Sequence, residues 1–420
     1  MSNLWRRQRL KWCFSSCVNG VWGDDPNGYN DTPVVRVADF DRTTLRVPKV
    51  PTIRAIRDSH RASRRLTNRD LLIEKSGGGD NQPVGTVVSY DLPLDAVYSN
   101  FVARLKVVET CNPRFVTYLN SHLYANGVNV RSIKQTTGIQ NLDAESYLDE
   151  YVTVPDQDTQ KLIAVFLDRE TSEIDKLIQH KEELLHLLRE KREAFVTRAV
   201  THGLDKNISM KSTGIPWVKK VPNHWRLLRA KYLFQQTKYP VRDDDEIVTC
   251  FRDGQVTLRS NRREDGYTNA VLELGYQGIR VGQLVLHSMD AFAGAIGVSD
   301  SDGKCSPEYI NCDASDPSIS NRYYATLLRV MAKRGFILAA CPAVRERAPR
   351  IRFSSFAGML LPVPPSSEQK AIMGQIDSYH AGTSELTKSL SHSVDLLSER
   401  RSALITSAVT GEIPIEEMTA

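Results

Sequence analysis

The feature that most constrains this chain is that it repeats itself. Gln160, Lys161, Ile163, Leu167 and Asp168 return 209 positions later as Gln369, Lys370, Ile372, Ile376 and Asp377. At the same offset Pro155 meets Pro364, Glu190 meets Glu399, Arg192 meets Arg401, and Ala199-Val200-Thr201 meets Ala408-Val409-Thr410. A second repeat precedes each copy: Trp5, Arg6, Arg9, Lys11 and Phe14 reappear 220 positions on as Trp225, Arg226, Arg229, Lys231 and Phe234. The order is therefore domain, helix, domain, helix. Repetition of this size sets the architecture before any local motif is read, and it predicts a pseudo-twofold relation between the halves.

At 420 residues, 41% hydrophobic and 25% charged, the chain has the composition of a globular protein large enough for two or three cores. No apolar run approaches the roughly 20 residues that cross a bilayer, and the basic, apolar-poor segment Met1 to Lys11 is unlike a signal peptide. The expectation is a cytoplasmic protein with no membrane partner. Seven cysteines without a CxxC pair fit reduced thiols better than disulfides or a metal site. A net charge of +5 does not by itself point to nucleic acid.

Residues 1–157 alternate short β-type runs with turns, and 203–364 repeat the style. Pro33 to Val37, Leu71 to Glu74, Gly85 to Tyr90 and Phe101 to Val108 read as strands in the first domain. Ile247 to Phe251, Gly282 to Leu286, Ala295 to Val298 and Gly358 to Val363 do so in the second. Asn112 to Leu123 and Asn321 to Ala332 read as helices. The fold class is α/β in the mixed, α+β sense. Little beyond hydrophobic pattern is shared between the domains, so one fold carries two different surfaces.

Segments 158–202 and 365–411 link and follow these domains, leaving a tail at 412–420. The stretch 158–201 contains neither Gly nor Pro. It carries Leu167, Ile174, Leu177, Leu184, Leu188 and Phe195 at seven-residue steps, which predicts a coiled-coil seam. Ile376, Leu390, Leu397 and Leu404 continue the pattern in the second copy, which Gly382 interrupts. A helix of some forty residues is about 60 Å long. Two such half-apolar seams are best buried against each other as an antiparallel pair. Gly203 and Gly411 are the expected stops.

The run from Pro155 to Asp168 through Lys191-Arg192-Glu193-Ala194 to Ala199-Val200-Thr201-His202-Gly203-Leu204 carries a family resemblance. It is followed by Gly214-Ile215-Pro216-Trp217 and Pro222-Asn223-His224-Trp225. With Asp70 to Gly78 and Pro83-Val84-Gly85, this resembles the specificity subunits of type I restriction–modification systems, over nearly the whole chain. The resemblance implies two target recognition domains, each reading one half of a split double-stranded DNA sequence, with the helix pair as a ruler. It also implies docking of two methyltransferase subunits and of restriction/translocase subunits, in DNA methylation and phage defence. Such a chain binds no cofactor; S-adenosylmethionine, ATP and Mg2+ belong to its partners.

The residues agree with that reading. Arg54, Arg57, Arg61, Arg64, Arg65 and Arg69 crowd 16 positions that hold one acid, Asp58. Such density suits phosphate neutralisation, which releases counterions, and arginine also grips guanine edges. A solvated charged surface is the alternative. In the second domain Arg259, Arg262 and Arg263 form one cluster and Arg345, Arg347, Arg350 and Arg352 another. The turn at Lys75 and Ser76 is either a phosphate-binding loop or a plain hairpin. Lys134, Gln135 and Thr136 read as a polar loop suited to DNA, and His287 and Ser288 end the strand that parallels Leu71 to Glu74.

Catalytic motifs are missing. Gly297 to Gly303-Lys304-Cys305 has five residues where a phosphate loop needs four, and ends in Cys. No Asn-Pro-Pro-aromatic motif is present, and His60, His122 and His287 lack partners at catalytic spacing. The expectation is a non-catalytic DNA-reading subunit. The alternative from another class is a structural adaptor carrying two protein-binding modules.

Overall fold

The structure is a computed structural model that describes residues 5–79, 81–136, 138–262, 274–341 and 349–419. It divides into two compact units, residues 1–184 with 389–420, and residues 185–388. The division cuts across two long helices, Gln157–His202 and Ser366–Thr410. Each unit therefore contains a mixed domain and one half of each helix.

In the first unit four antiparallel strands lie in the order Phe14–Asn19, Val102–Val107, Asp70–Glu74, Val87–Ser89. The Asp70–Glu74 strand is buried throughout because both its faces are covered. Leu71 and Ile73 enter a core with Phe115 and Leu119, whereas Leu72 enters another with Val35, Tyr90 and Tyr98, as strand alternation requires. The helix Pro113–Ala125 begins where the Asn112 side chain accepts from the N–H groups of Arg114 and Phe115, with proline in its first turn. Trp5–Arg9 pairs antiparallel with Tyr151–Pro155, which leads into the first long helix.

The second unit repeats this plan. Its four antiparallel strands run Phe234–Gln236, Tyr309–Ala314, Leu284–His287, Ile296–Val298, the same spatial order with respect to the chain. Leu284 and Leu286 face one core and Val285 another. Arg226–Arg229 pairs with Leu360–Val363, ahead of the second long helix.

The repeated residues prove to be joints. Gln160 donates to the Pro155 carbonyl at 2.8 Å and accepts from the N–H of Asn112, the residue capping the domain helix. Gln369 donates to the Pro364 carbonyl at 2.9 Å and accepts from the N–H of Ser320, which caps the Asn321–Lys333 helix. One buried amide thus ties strand, long helix and domain helix in each unit. Asp168 receives Arg114 at 2.6 Å, and Asp377 receives Arg322 at 2.9 Å. Gly411 and Gly203 stop the long helices with φ of +80° and +76°. A Cβ on Gly411 would lie 2.7 Å from the Trp5 ring, and one on Gly203 would lie 2.8 Å from Glu368, which accepts the Trp225 indole N–H.

Within each unit the helix halves pack antiparallel. In the first, Ile163 and Leu167 share a core with Ile405, Ala408 and Val409, and Asp175 meets Arg401 at 2.8 Å. In the second, Phe195 stacks on Tyr379 with centroids 4.4 Å apart, Arg192 reaches His380, and Val200 shares a core with Ile372 and Ile376. The second helix runs unbroken through Gly382. The seam differs from expectation at two positions. Leu177 and Leu184 are 50% and 49% exposed. The inner positions are instead Thr171, Ile174, Ile178, Lys181, Leu185, Leu188 and Phe195, spaced on a helical repeat. Each misplaced leucine sits one residue before a seam position, about 100° around the helix. Leu390, Leu397 and Leu404 are half-buried.

Candidate nucleic-acid interface

The basic run of the first unit straddles the helix Asp58–Arg64, with Arg57 at its N-cap. The sequence offers it one acid, but the fold brings others. Asp95 takes Arg61 at 2.5 Å and Arg65 at 3.1 Å, and Asp25 takes Arg54, whose guanidinium lies over the Trp22 ring. Arg64 donates to the Asn19 carbonyl at 2.9 Å, and Lys75 donates to the Asn19 side chain at 2.8 Å. Arg64 and Lys75 therefore meet on one residue. Arg69 is turned elsewhere, donating to the carbonyls of Val108 and Cys111. Exposed pairs of this kind contribute little each, so their arginines can exchange a carboxylate for a phosphate at small cost.

Lys134 to Thr136 is not a loop. Ile133–Thr136 and Ile139–Leu142 form a hairpin whose second strand pairs with Ser76–Gly77. Ile133 pairs with Leu142 and Gln135 with Gln140 across a turn that contains Gly138, φ +82°. The register puts Ser76, Asn141 and Lys134 in one cross-strand row. Ser76 Oγ lies 2.6 Å from Asn141 Oδ1, and Lys134 bonds Asp143 at 2.6 Å, a contact that raises the lysine pKa and lowers that of the carboxylate. Gln135 is exposed beside this row. A cavity of about 460 Å³ opens alongside, lined by Trp22, Ser76, Gly77, Gly78 and the half-exposed Phe101. Beneath it Glu74 is buried against Arg42 at 2.7 Å; burial pushes its pKa up, and the arginine pulls it down.

In the second unit His287 ends the strand equivalent to Asp70–Glu74. It lies against the Tyr309 ring and 3.3 Å from Asp290, and burial lowers its pKa despite that carboxylate. The Ser288 N–H donates to the Glu308 carbonyl, and the Glu308 side chain holds Arg350 at 3.1 Å. His287, Ser288 and Arg350 are thus brought together, with Arg352 exposed at the N-cap of Phe353–Gly358. Arg252 bonds Asp290, and the adjoining Asp253 holds Arg262, which lies over Phe251. Arg259 donates to Thr249. Arg263, Arg345, Arg347 and the side chain of Thr136 lie outside the described residues.

Asn19, Asn141, Trp22, Phe101 and Arg252 carry no mark in the sequence. Each is isolated there and becomes part of a surface only when the fold brings distant segments together. Among the described residues no group of three His, Cys, Asp or Glu could hold a metal ion, and no helix is long and apolar enough to cross a membrane.

Two like-built units, each an antiparallel sheet domain with half of two long helices, define a duplicated, helix-linked fold. This is the fold of the S subunits of type I restriction–modification systems. No family model and no curated protein matches the chain. Among solved structures, a chain from a study of complex assembly and conformational transition of the type I R-M system is similar to it with a TM-score of 0.65. The identity is 15%, over 97% of this chain and 98% of that one. The HsdS subunit from Thermoanaerobacter tengcongensis is similar with a TM-score of 0.51 and 14% identity, over 98% of each chain.

Proposed function

We propose that this chain is the DNA sequence-recognition subunit of a type I restriction–modification complex. The observation that carries the reading is the likeness to S-subunit structures over nearly the full length of both chains. Each unit would read one half of a bipartite double-stranded target. The first would use the surface around Arg61, Arg64, Arg65, Lys75, Ser76 and Lys134, and the second that around Arg259, Arg262, His287, Ser288, Arg350 and Arg352. Different side chains on one repeated frame suit two different half-sites, because base contacts specify whereas phosphate contacts position. The long helices would dock two methyltransferase subunits and, with them, the nuclease/translocase. The exposed Leu177, Leu184, Leu187, Leu386 and Leu396 would supply apolar contacts for such docking. S-adenosylmethionine, ATP and Mg2+ would be held by those partners in the cytoplasm, and the chain itself would catalyse nothing.

The test is selection from a random duplex library by the full chain with its methyltransferase partners. A split consensus with an unread spacer is expected. Stable protein complexes without DNA preference would overturn the reading in favour of a structural adaptor.

A further inference from the structure

The second unit contains a pocket of about 750 Å³ between the C-terminal half of the first long helix, the Asn321–Lys333 helix and the start of the second long helix. Six cations line it, Arg189, Arg192, Arg322, Arg329, Lys333 and Arg334, against two acids. Both acids are already engaged: Glu193 holds Lys333 at 2.5 Å and Asp377 holds Arg322 at 2.9 Å. Arg189, Arg192, Arg329 and Arg334 have no carboxylate partner among the described residues.

Two donors in the pocket are buried and unsatisfied among the described residues. Arg329 packs so closely on the loop at Gly254 that a Cβ there would lie 2.5 Å from its Nε, yet that Nε–H has no acceptor. The nearby Asp253 is paired with Arg262. His380 is the second. Arg192 lies 3.3 Å from its Nδ1, and a guanidinium can only donate. The imidazole proton therefore sits on Nε2, which is buried without a partner. Burial and the arginines beside it lower the pKa of His380. Leaving such donors unmade is unfavourable, and crowding like charges around them adds to the cost.

The repeat shows that this charge is particular to one unit. Arg401, the counterpart of Arg192, is satisfied by Asp175 in the first unit. The counterpart of Asp175 is Ser384, and, counted from the capping residues Asn112 and Ser320, Arg329 stands where the first unit has Ser121. At these two positions the second unit therefore lacks an acid and gains a cation.

We propose that this pocket binds a phosphate-bearing small molecule, with Arg192, Arg329 and His380 as its donors. Four uncompensated cations call for more than one negative charge, and the planar guanidinium fork matches phosphate oxygens. The volume lies within the range of small-molecule sites. A DNA duplex is convex and would not reach the covered Arg329 Nε. The inference does not rest on the DNA-reading role and survives its failure.

Titration calorimetry of the full chain with inorganic pyrophosphate tests it. Binding below millimolar concentration is expected. Arg329→Met and Arg192→Gln, each with wild-type circular dichroism, should weaken it at least about tenfold, the scale of one charge-assisted hydrogen bond. Should Arg329→Met fail to fold, Arg192→Gln alone decides. Absence of binding to the wild-type chain, or unchanged affinity in the folded variants, overturns the proposal. So does displacement of pyrophosphate by a random-sequence duplex, which would assign the cations to nucleic acid; retention of pyrophosphate in that competition supports the small-molecule site.

Discussion

Removing the Asp175 carboxylate should destabilise the first unit substantially. Arg401 donates to Asp175 at 2.8 Å and to the Thr43 carbonyl, and the two side chains are only 12% and 16% exposed. In Asp175→Ala the guanidinium stays buried with one carbonyl as its acceptor. Breaking one side of a buried pair costs about 3–5 kcal/mol, and the residual exposure brings this to about 2–3 kcal/mol. At about 2–4 °C per kcal/mol for a unit of this size, the transition should fall by about 4–12 °C. Replacing both partners, Asp175→Leu with Arg401→Met, should recover most of that stability, since an apolar pair leaves no stranded charge. Calorimetric melting of the wild type, both single variants and the double variant closes the cycle. A decrease below about 1 kcal/mol in Asp175→Ala, or a double variant no better than the worse single one, would refute the reasoning. The repeat supplies a control: Ser384→Asp gives Arg192 the acid that its counterpart has, and should change stability by no more than about 1 kcal/mol because that site is more open.

If the long helices set the distance between half-sites, four residues inserted after Leu184 and four after Lys388 add about 6 Å to each helix and should lengthen the unread DNA spacer by one or two base pairs at about 3.4 Å each. Methylome sequencing that finds the original spacer in an active variant removes the ruler. Arg64→Ala with Arg65→Ala should weaken DNA binding and flatten its salt dependence by about 0.9 for each phosphate no longer neutralised; an unchanged slope makes these arginines ordinary surface. Because burial holds the folded-state pKa of His287 below its ordinary 6.5, the stability it permits is complete above about pH 6.5 and diminishes as pH falls toward the folded value. His287→Gln should therefore reduce the acid sensitivity of melting below about pH 6.5, and an identical pH profile would contradict this.

The duplication, the two long helices and the central strands are legible because each rests on a signal that survives in one dimension. Repeated motifs, seven-residue apolar steps and continuous apolar runs such as Leu71-Leu72-Ile73 are of this kind. Strands that pair across long separations leave weaker marks. Trp5–Arg9 reads as a charged segment until Tyr151–Pro155 pairs with it, and Lys134 to Thr136 reads as a loop although it pairs with Ile139–Leu142, whose other edge Ser76–Gly77 closes. The seam departs from its leucines at Leu177 and Leu184 because the helical repeat turns their neighbours Ile178 and Leu185 inward, together with Lys181, whose long stem can bury while its amine reaches water.

Charge is the least legible property, since pairing partners lie far away in sequence. Arg61 and Arg65 look unopposed until Asp95 arrives, whereas nothing in the sequence marks Arg192 and Arg329 as lacking a carboxylate among the described residues. The repeat makes this difference interpretable. Positions that match between the copies, Gln160 with Gln369, Asp168 with Asp377 and Trp5 with Trp225, hold the frame together in both units. Function is therefore to be sought where the copies disagree, in the cross-strand row of Ser76, Asn141 and Lys134, in the cluster of His287, Ser288 and Arg350, and where Ser384 replaces the carboxylate that Asp175 supplies to Arg401.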